Sequence, residues 1–339
     1  MWASTANPAE VIEMKRRDLI KGALGLAWAT MLEPSGAQTV SRKRLGYLSG
    51  GSPGLGEFTI DILKASLRDL GWRIGETMDI EERWAEGDFT RLPGLANELV
   101  GLRPDVIVAT GSSETKSLQT ATRDLPVVFI QVADPVSLGV ITTISRPGRN
   151  ITGLAQGPQI LWSKRVGLLT ELLGHPPRRL AWLGNPGNAG SEANWKDARD
   201  ATTLAGIDLA RIDVSRAEEL DKAFTATKGL DGLLVQWDFL FAVQRSRIAE
   251  LATQSLMPAV YENRSQVLAG GLMSYGGDLR ENYRVGATYV DRILKGARPA
   301  DLPVIQASRF ELVLNKGAAK ALDLTIPDSL LARADEVIE

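Results

Sequence analysis

Short, uninterrupted apolar runs alternate along the chain with stretches of helical spacing. Residues 44–49 form one such run and end in Gly50-Gly51-Ser52-Pro53-Gly54, which predicts a buried strand entering a tight loop. Ile60, Leu63, Leu67 and Leu70 then recur on one helix face, and Gly71 stops that helix. Residues 78–83 predict a second strand; Leu92, Leu95, Leu99 and Leu102 predict a second helix. The run after Asp105 (Val-Ile-Val-Ala) leads into Thr110-Gly111-Ser112-Ser113 and a polar helix to residue 123, and 126–131 predicts the next strand. Continuous apolar strands separated by helices indicate a parallel sheet covered on both faces.

The pattern then starts again. Leu161, Leu168, Leu169 and Leu172 mark a helix over 160–173, and 179–184 predicts a strand closed by Asn185-Pro186-Gly187-Asn188. Helices over 191–205, 216–227 and 239–255 alternate with strands over 207–214, 232–237 and 257–261. This is a second doubly wound unit of similar size. The turn formers of 145–153 read as the first crossover between the two. Beyond residue 261 lie a glycine-rich segment, a long helix over 279–295, an alternating strand over 309–315 and a last helix. That tail is long enough to revisit both units, as lobes joined by several crossovers require.

Composition narrows the chemistry. The chain of 339 residues carries 39 basic and 41 acidic side chains, a formal charge of −2, which argues against a nucleic-acid binder. It has no cysteine and one histidine, His175, within Gly174-His175-Pro176-Pro177. Thiolate nucleophiles, cysteine metal sites and a histidine-dependent triad are thereby disfavoured. Residues 1–37 read as an N-terminal extension and export signal: Arg16-Arg17, a short apolar stretch and a small-residue Ser35-Gly36-Ala37 site. The arginine pair resembles the twin-arginine variety. The apolar stretch is too short to span a bilayer, which needs ~20 residues. The expected location is periplasmic.

Ligands of open parallel sheets bind at the carboxyl ends of the strands. Those ends hold Ser49, Gly50 and Ser52; Thr110, Gly111, Ser112 and Ser113; and Asp134 in the first unit. In the second they hold Asn185, Trp237, Asp238 and Glu262. Ser112 and Ser113 open a helix, whose free N–H groups suit a carboxylate. Asp238 and Glu262 suit an ammonium, with Trp237 alongside. The plainer reading makes Ser112 and Asp238 helix caps.

Several segments resemble the ABC transporter substrate-binding protein family that includes tryptophan- and tyrosine-binding components. They are Leu45-Gly-Tyr-Leu-Ser, Arg83-Trp-Ala-Glu-Gly-Asp, Pro104-Asp-Val-Ile-Val-Ala, Arg146-Pro-Gly-Arg-Asn-Ile-Thr-Gly, Gly270-Gly-Leu-Met-Ser-Tyr-Gly and the tail from Leu324. The resemblance implies an α/β type I periplasmic-binding fold, two Rossmann-like doubly wound lobes joined by three crossover strands. Lobe 1 would take 43–153 plus 272–301, and lobe 2 would take 154–271 plus 302–339. It implies no catalysis; the protein is expected to be a monomer without cofactor or metal that captures a small molecule, such as an aromatic or branched amino acid, and delivers it to a membrane permease. An extracytoplasmic ligand-sensing protein of the same fold is the alternative. Family members often carry a proline or small residue beside the second-lobe acid. Here the segment is Gln236-Trp237-Asp238-Phe239.

Overall fold

The computed structural model describes residues 42–54, 60–157 and 160–339, and residues 42–339 form one compact unit. The export signal expected over 1–37 lies outside the described residues. In chain order the strands are β1 Lys43–Ser49, β2 Met78–Trp84, β3 Val106–Ala109, β4 Val127–Val132, β5 Ile151–Ala155, β6 Arg179–Gly184, β7 Asp208–Asp213, β8 Gly232–Val235, β9 Ala259–Tyr261, β10 Met273–Gly277, β11 Ile305–Gln306, β12 Phe310–Asn315 and β13 Glu336–Ile338.

Two sheets are built from them. The first has the order β11-β5-β4-β3-β1-β2, the second β13-β12-β10-β9-β8-β6-β7. Pairing is parallel except between β10 and β12. Every residue of β3 and β8 is buried, because helices cover both faces of each sheet. Each lobe accordingly has two cores. In the first, Leu63, Leu67, Tyr47 and Tyr283 pack on one face, and Leu92, Leu99, Ile107 and Phe129 on the other. In the second, Leu169, Trp182, Leu234 and Leu314 lie on one side and Leu183, Phe224, Phe241 and Ile248 on the other.

The chain passes between the lobes three times: after β5, after β10 and after β11. These are the two doubly wound lobes that the strand–helix pattern predicted, joined by the three crossings of the type I periplasmic-binding architecture that the resemblance implied. The sheets divide the chain differently from expectation in several places. Residues 145–153 are not all crossover, since β5 starts at Ile151 and pairs with β4; the crossing comes after Ala155. Gly153 makes that pairing fit: its φ is +150°, and a Cβ there would stand 2.0 Å from Phe129 O. Strand β10 belongs to the second sheet rather than with 272–301 in the first lobe, because Met273–Gly277 pairs antiparallel with β12. Ile305 and Gln306 pair with β5 of the first sheet, although 302–339 was expected in lobe 2. The helix expected over 239–255 breaks at Gln244 into Phe239–Val243 and Arg245–Gln254.

The long helix Leu279–Leu294 follows the second crossing and returns to the first lobe. Asp278 caps it, accepting from Arg280 N at 2.9 Å. Its buried stripe of Leu279, Tyr283, Ala287 and Val290 keeps the i, i+4 rhythm of a one-faced helix.

Candidate functional site

The carboxyl ends of the two sheets face one another across a narrow cleft. The lobes touch over it. Ala189 N of the second lobe donates to Ser113 Oγ of the first at 2.9 Å. Gly190 approaches so closely that a Cβ there would stand 2.8 Å from Ser112 Oγ and 3.2 Å from Ala133 Cβ. These contacts define a closed arrangement.

From the first lobe, Thr110, Gly111 and Ser112 line the cleft; from the second, Trp237 and Asp238 do. Thr110 Oγ1 donates to Leu48 O at 3.3 Å, which fixes the loop on β1. Gly111 rather than Ser112 occupies the N-cap position of the helix Ser112–Ala121, with extended backbone and no side-chain cap. The two serine hydroxyls face elsewhere as acceptors: Ser112 Oγ takes Ala133 N at 3.2 Å, and Ser113 Oγ is held by Ala189. A neighbour fills the anion position expected at this helix terminus. Glu114 turns back over the first turn, and its Oε1 accepts from Gly50 N at 2.6 Å.

Gly50 is required here by space. A Cβ on it would meet Glu114 Oε1 at 2.6 Å and the rings of Phe89 and Phe239 at 2.7 Å. Ser49 lies behind it, its Oγ accepting from Gly51 N at 3.1 Å. No contact of Ser52 with the cleft is seen among the described residues. Asp134 is spent on a turn, accepting from Val136 N and Ser137 N at 3.1 and 3.0 Å.

In the second lobe Asp238 both caps a helix and lines the cleft. Its Oδ1 accepts from Leu240 N at 2.8 Å and from Asn185 Nδ2 at 3.1 Å; its Oδ2 accepts from Asn188 Nδ2 at 2.8 Å. Asn185 thus serves as a brace for Asp238 and, through Oδ1, for Gly187 N at 2.9 Å. Glu262 does not stand open for an ammonium. It is paired with Arg165 Nη2 at 3.0 Å and also accepts from Gln156 Nε2 at 2.7 Å and Trp237 N at 2.8 Å. Arg165 Nε donates in turn to Tyr275 O at 2.8 Å, and its guanidinium lies 4.5 Å from the Trp162 ring centre. This group joins the first crossing (Gln156) to β9, to β10 and to the wall residue Trp237.

Sequence reasoning missed Glu114, Phe89, Gln131, Gln156, Asn194 and Phe239, all of which line the cleft. Gln131 had one visible consequence once folded: its φ of +67° is unusual for a residue with a side chain. It sits where the β4–β5 register shifts, between Ile130 and Val132, and this bulge brings Gln131 to the cleft. Phe89 follows β2 in a one-turn helix capped by Asp88, which accepts from Thr90 N at 3.0 Å.

Electrostatics set the character of the cleft. Burial pushes the Glu114 carboxyl up to about 7, against hydrogen bonds that favour its charge, and the negative Asp238 adds to the rise. Burial likewise raises Asp238, opposed by Asn188 and Asn185. Among the described residues no group of three or more His, Cys, Asp or Glu could hold a metal ion, and no helix is long and apolar enough to cross a membrane.

Three comparisons bear on this geometry. The family model described as "ABC transporter substrate binding protein" matches residues 53–338. A tyrosine-binding protein of Clostridioides difficile (strain R20291) is 23% identical over 274 residues, 80% of this chain and 78% of that protein. Among solved structures, a conserved domain protein from Vibrio cholerae matches with a TM-score of 0.82 and 27% identity, over 87% of this chain and 99% of that one. An ABC domain from Streptococcus pneumoniae in complex with L-Trp matches with a TM-score of 0.81 and 26% identity, over 88% and 100%. The Clostridioides protein is thus a tyrosine binder and the Streptococcus domain holds L-Trp. The chain belongs to the ABC transporter substrate-binding protein family.

Proposed function

We propose that the solute is an α-amino acid with an aromatic side chain, delivered to the permease of an ABC uptake system. The observation that carries this reading is the set of three rings on the cleft. Phe89 comes from the first lobe, Trp237 and Phe239 from the second, and the latter two meet edge-on with centres 6.0 Å apart. The remaining wall is polar: Thr110, Gln131, Gln156, Asn188 and Asn194 offer a hydroxyl and amides to the backbone end of an amino acid. A tyrosine-binding relative and a neighbour that holds L-Trp support the same class. The protein works as a monomer outside the cytoplasm, and the segment at 1–37 exports it by the twin-arginine route.

The test is titration calorimetry of the purified protein with L-tryptophan, L-tyrosine, L-phenylalanine, L-leucine and D-glucose. Binding of at least one aromatic amino acid, tighter than L-leucine, is expected. Binding of glucose with no response to any amino acid overturns the reading.

A further inference from the structure

We propose that Glu114 is a second acceptor for the solute's ammonium, paired across the cleft with Asp238, and that it makes the site specific for ligands bearing an amino group. The inference rests on the amino-acid reading above. Glu114 and Asp238 come from opposite lobes, line the same cleft and are each 1% exposed. Their hydrogen-bond donors are neutral: Gly50 N, its own N–H and Thr110 for Glu114, and Asn185, Asn188, Leu240 N and Phe241 N for Asp238. Among the described residues, no lysine or arginine is a leading influence on either carboxyl. Arg165, the buried cation farther along the cleft, is already matched by Glu262 at 3.0 Å. Two buried carboxylates facing one cavity without a cation is a costly arrangement, and a ligand ammonium supplies the missing charge.

Helix capping alone does not account for Glu114. A glutamate at the third position of a helix commonly turns back to the helix's own first N–H. This one accepts from its own N–H and reaches further, to Gly50 N on the loop after β1, in a space that only glycine leaves open. Because the two carboxyls belong to different lobes, an ammonium can engage both only when the lobes are closed, so this recognition also favours closure.

The experiment compares the full chain with its Glu114→Gln variant at pH 8, using L-tryptophan, tryptamine and indole-3-propionate, which lacks the amino group. Thermal melting without ligand is measured in parallel. The parent is expected to bind L-tryptophan and tryptamine in preference to indole-3-propionate. Glu114→Gln should lose about ten- to a hundredfold in affinity for the two amines, bind indole-3-propionate no more weakly than the parent, and melt no lower than it. Equal affinity of both proteins for L-tryptophan overturns the proposal. So does a variant that melts below the parent or loses all three ligands alike, since Glu114 would then be a structural brace. A parent that binds none of the three indoles overturns the aromatic amino-acid reading and this inference with it.

Discussion

Arg165 and Glu262 form an ion pair at 3.0 Å in which both side chains are almost wholly enclosed, 2% and 3% exposed. Glu262 also receives Gln156 from the first crossing and Trp237 N from the cleft wall. The pair therefore ties the hinge to the binding surface. Removing one partner strands a buried charge. Glu262→Ala is expected to cost about 3–5 kcal/mol of stability, against about 0–1 for a surface pair such as Lys196 with Asp200. Urea denaturation of Glu262→Ala and Asp200→Ala checks this; equal midpoints would contradict it.

Gly190 reads out closure. Its backbone is unstrained at φ −85°, so alanine is tolerated in an open form. In the closed form the new Cβ meets Ser112 Oγ at 2.8 Å. Gly190→Ala should keep the fold yet penalise closure by about 1–3 kcal/mol, a roughly five- to hundredfold loss of affinity. Calorimetry gives the affinity, and small-angle scattering with ligand gives the residual opening. An unchanged affinity would show that the lobes close less tightly than this contact requires.

Trp237 faces the cleft through its ring while its N–H anchors to Glu262. The backbone bond survives truncation of the side chain. Trp237→Ala should therefore leave melting nearly unaltered but weaken an aromatic amino acid by about 2 kcal/mol or more. Affinity for a small amino acid such as L-alanine should change little. A uniform loss across both ligands would assign Trp237 to packing.

The pH dependence of the ligand-free protein follows from Glu114, whose carboxyl is raised by burial from 4.5 to about 7, with Asp238 across the cleft and Tyr283 near it. A carboxyl raised in the folded state holds more protons there than in the unfolded chain. Its contribution is fully present below pH 4.5 and is lost as pH rises through about 7. Asp197, raised to about 6 chiefly by burial, acts in the same direction. The melting temperature of the ligand-free protein should thus fall between pH 5 and pH 8, and the fall should shrink in Glu114→Gln. Protons and the ligand's ammonium compete for Glu114, so affinity should rise over that interval. Melting that climbs from pH 5 to pH 8 contradicts the assignment.

Sequence periodicity exposed the parts of the fold whose burial is uniform. Strands β1, β3, β4 and β6 read as apolar runs because both faces of each sheet are covered. Strand β5 was hidden by Pro147, Gly148 and Asn150 just before it, and by Gly153 within it, where the neighbouring backbone lies too close for a side chain. Strand β10, Met-Ser-Tyr-Gly-Gly, has too little apolar material to announce itself. At the site, loops at strand ends could be read in advance, and Thr110 to Ser112 and Trp237-Asp238 do line the cleft. Glu114 could not, since an acid in the first turn of a polar helix looks solvated until tertiary packing encloses it. Gln131 was hidden by a bulge that local sequence does not encode.

The three crossings have a consequence for how the protein is made. The first lobe's core includes Tyr283, Ala287 and Val290, and its sheet ends with β11 at Ile305–Gln306. The second lobe's sheet starts at β6 but is completed only by β10, β12 and β13. Neither lobe can finish on a nascent chain before the ribosome has passed most of the sequence. Long-range pairings of this kind slow folding and leave apolar sheet faces bare in the meantime. Truncation before Leu279 should yield an aggregating fragment rather than an isolated lobe. Translation and folding are thereby kept largely separate in time.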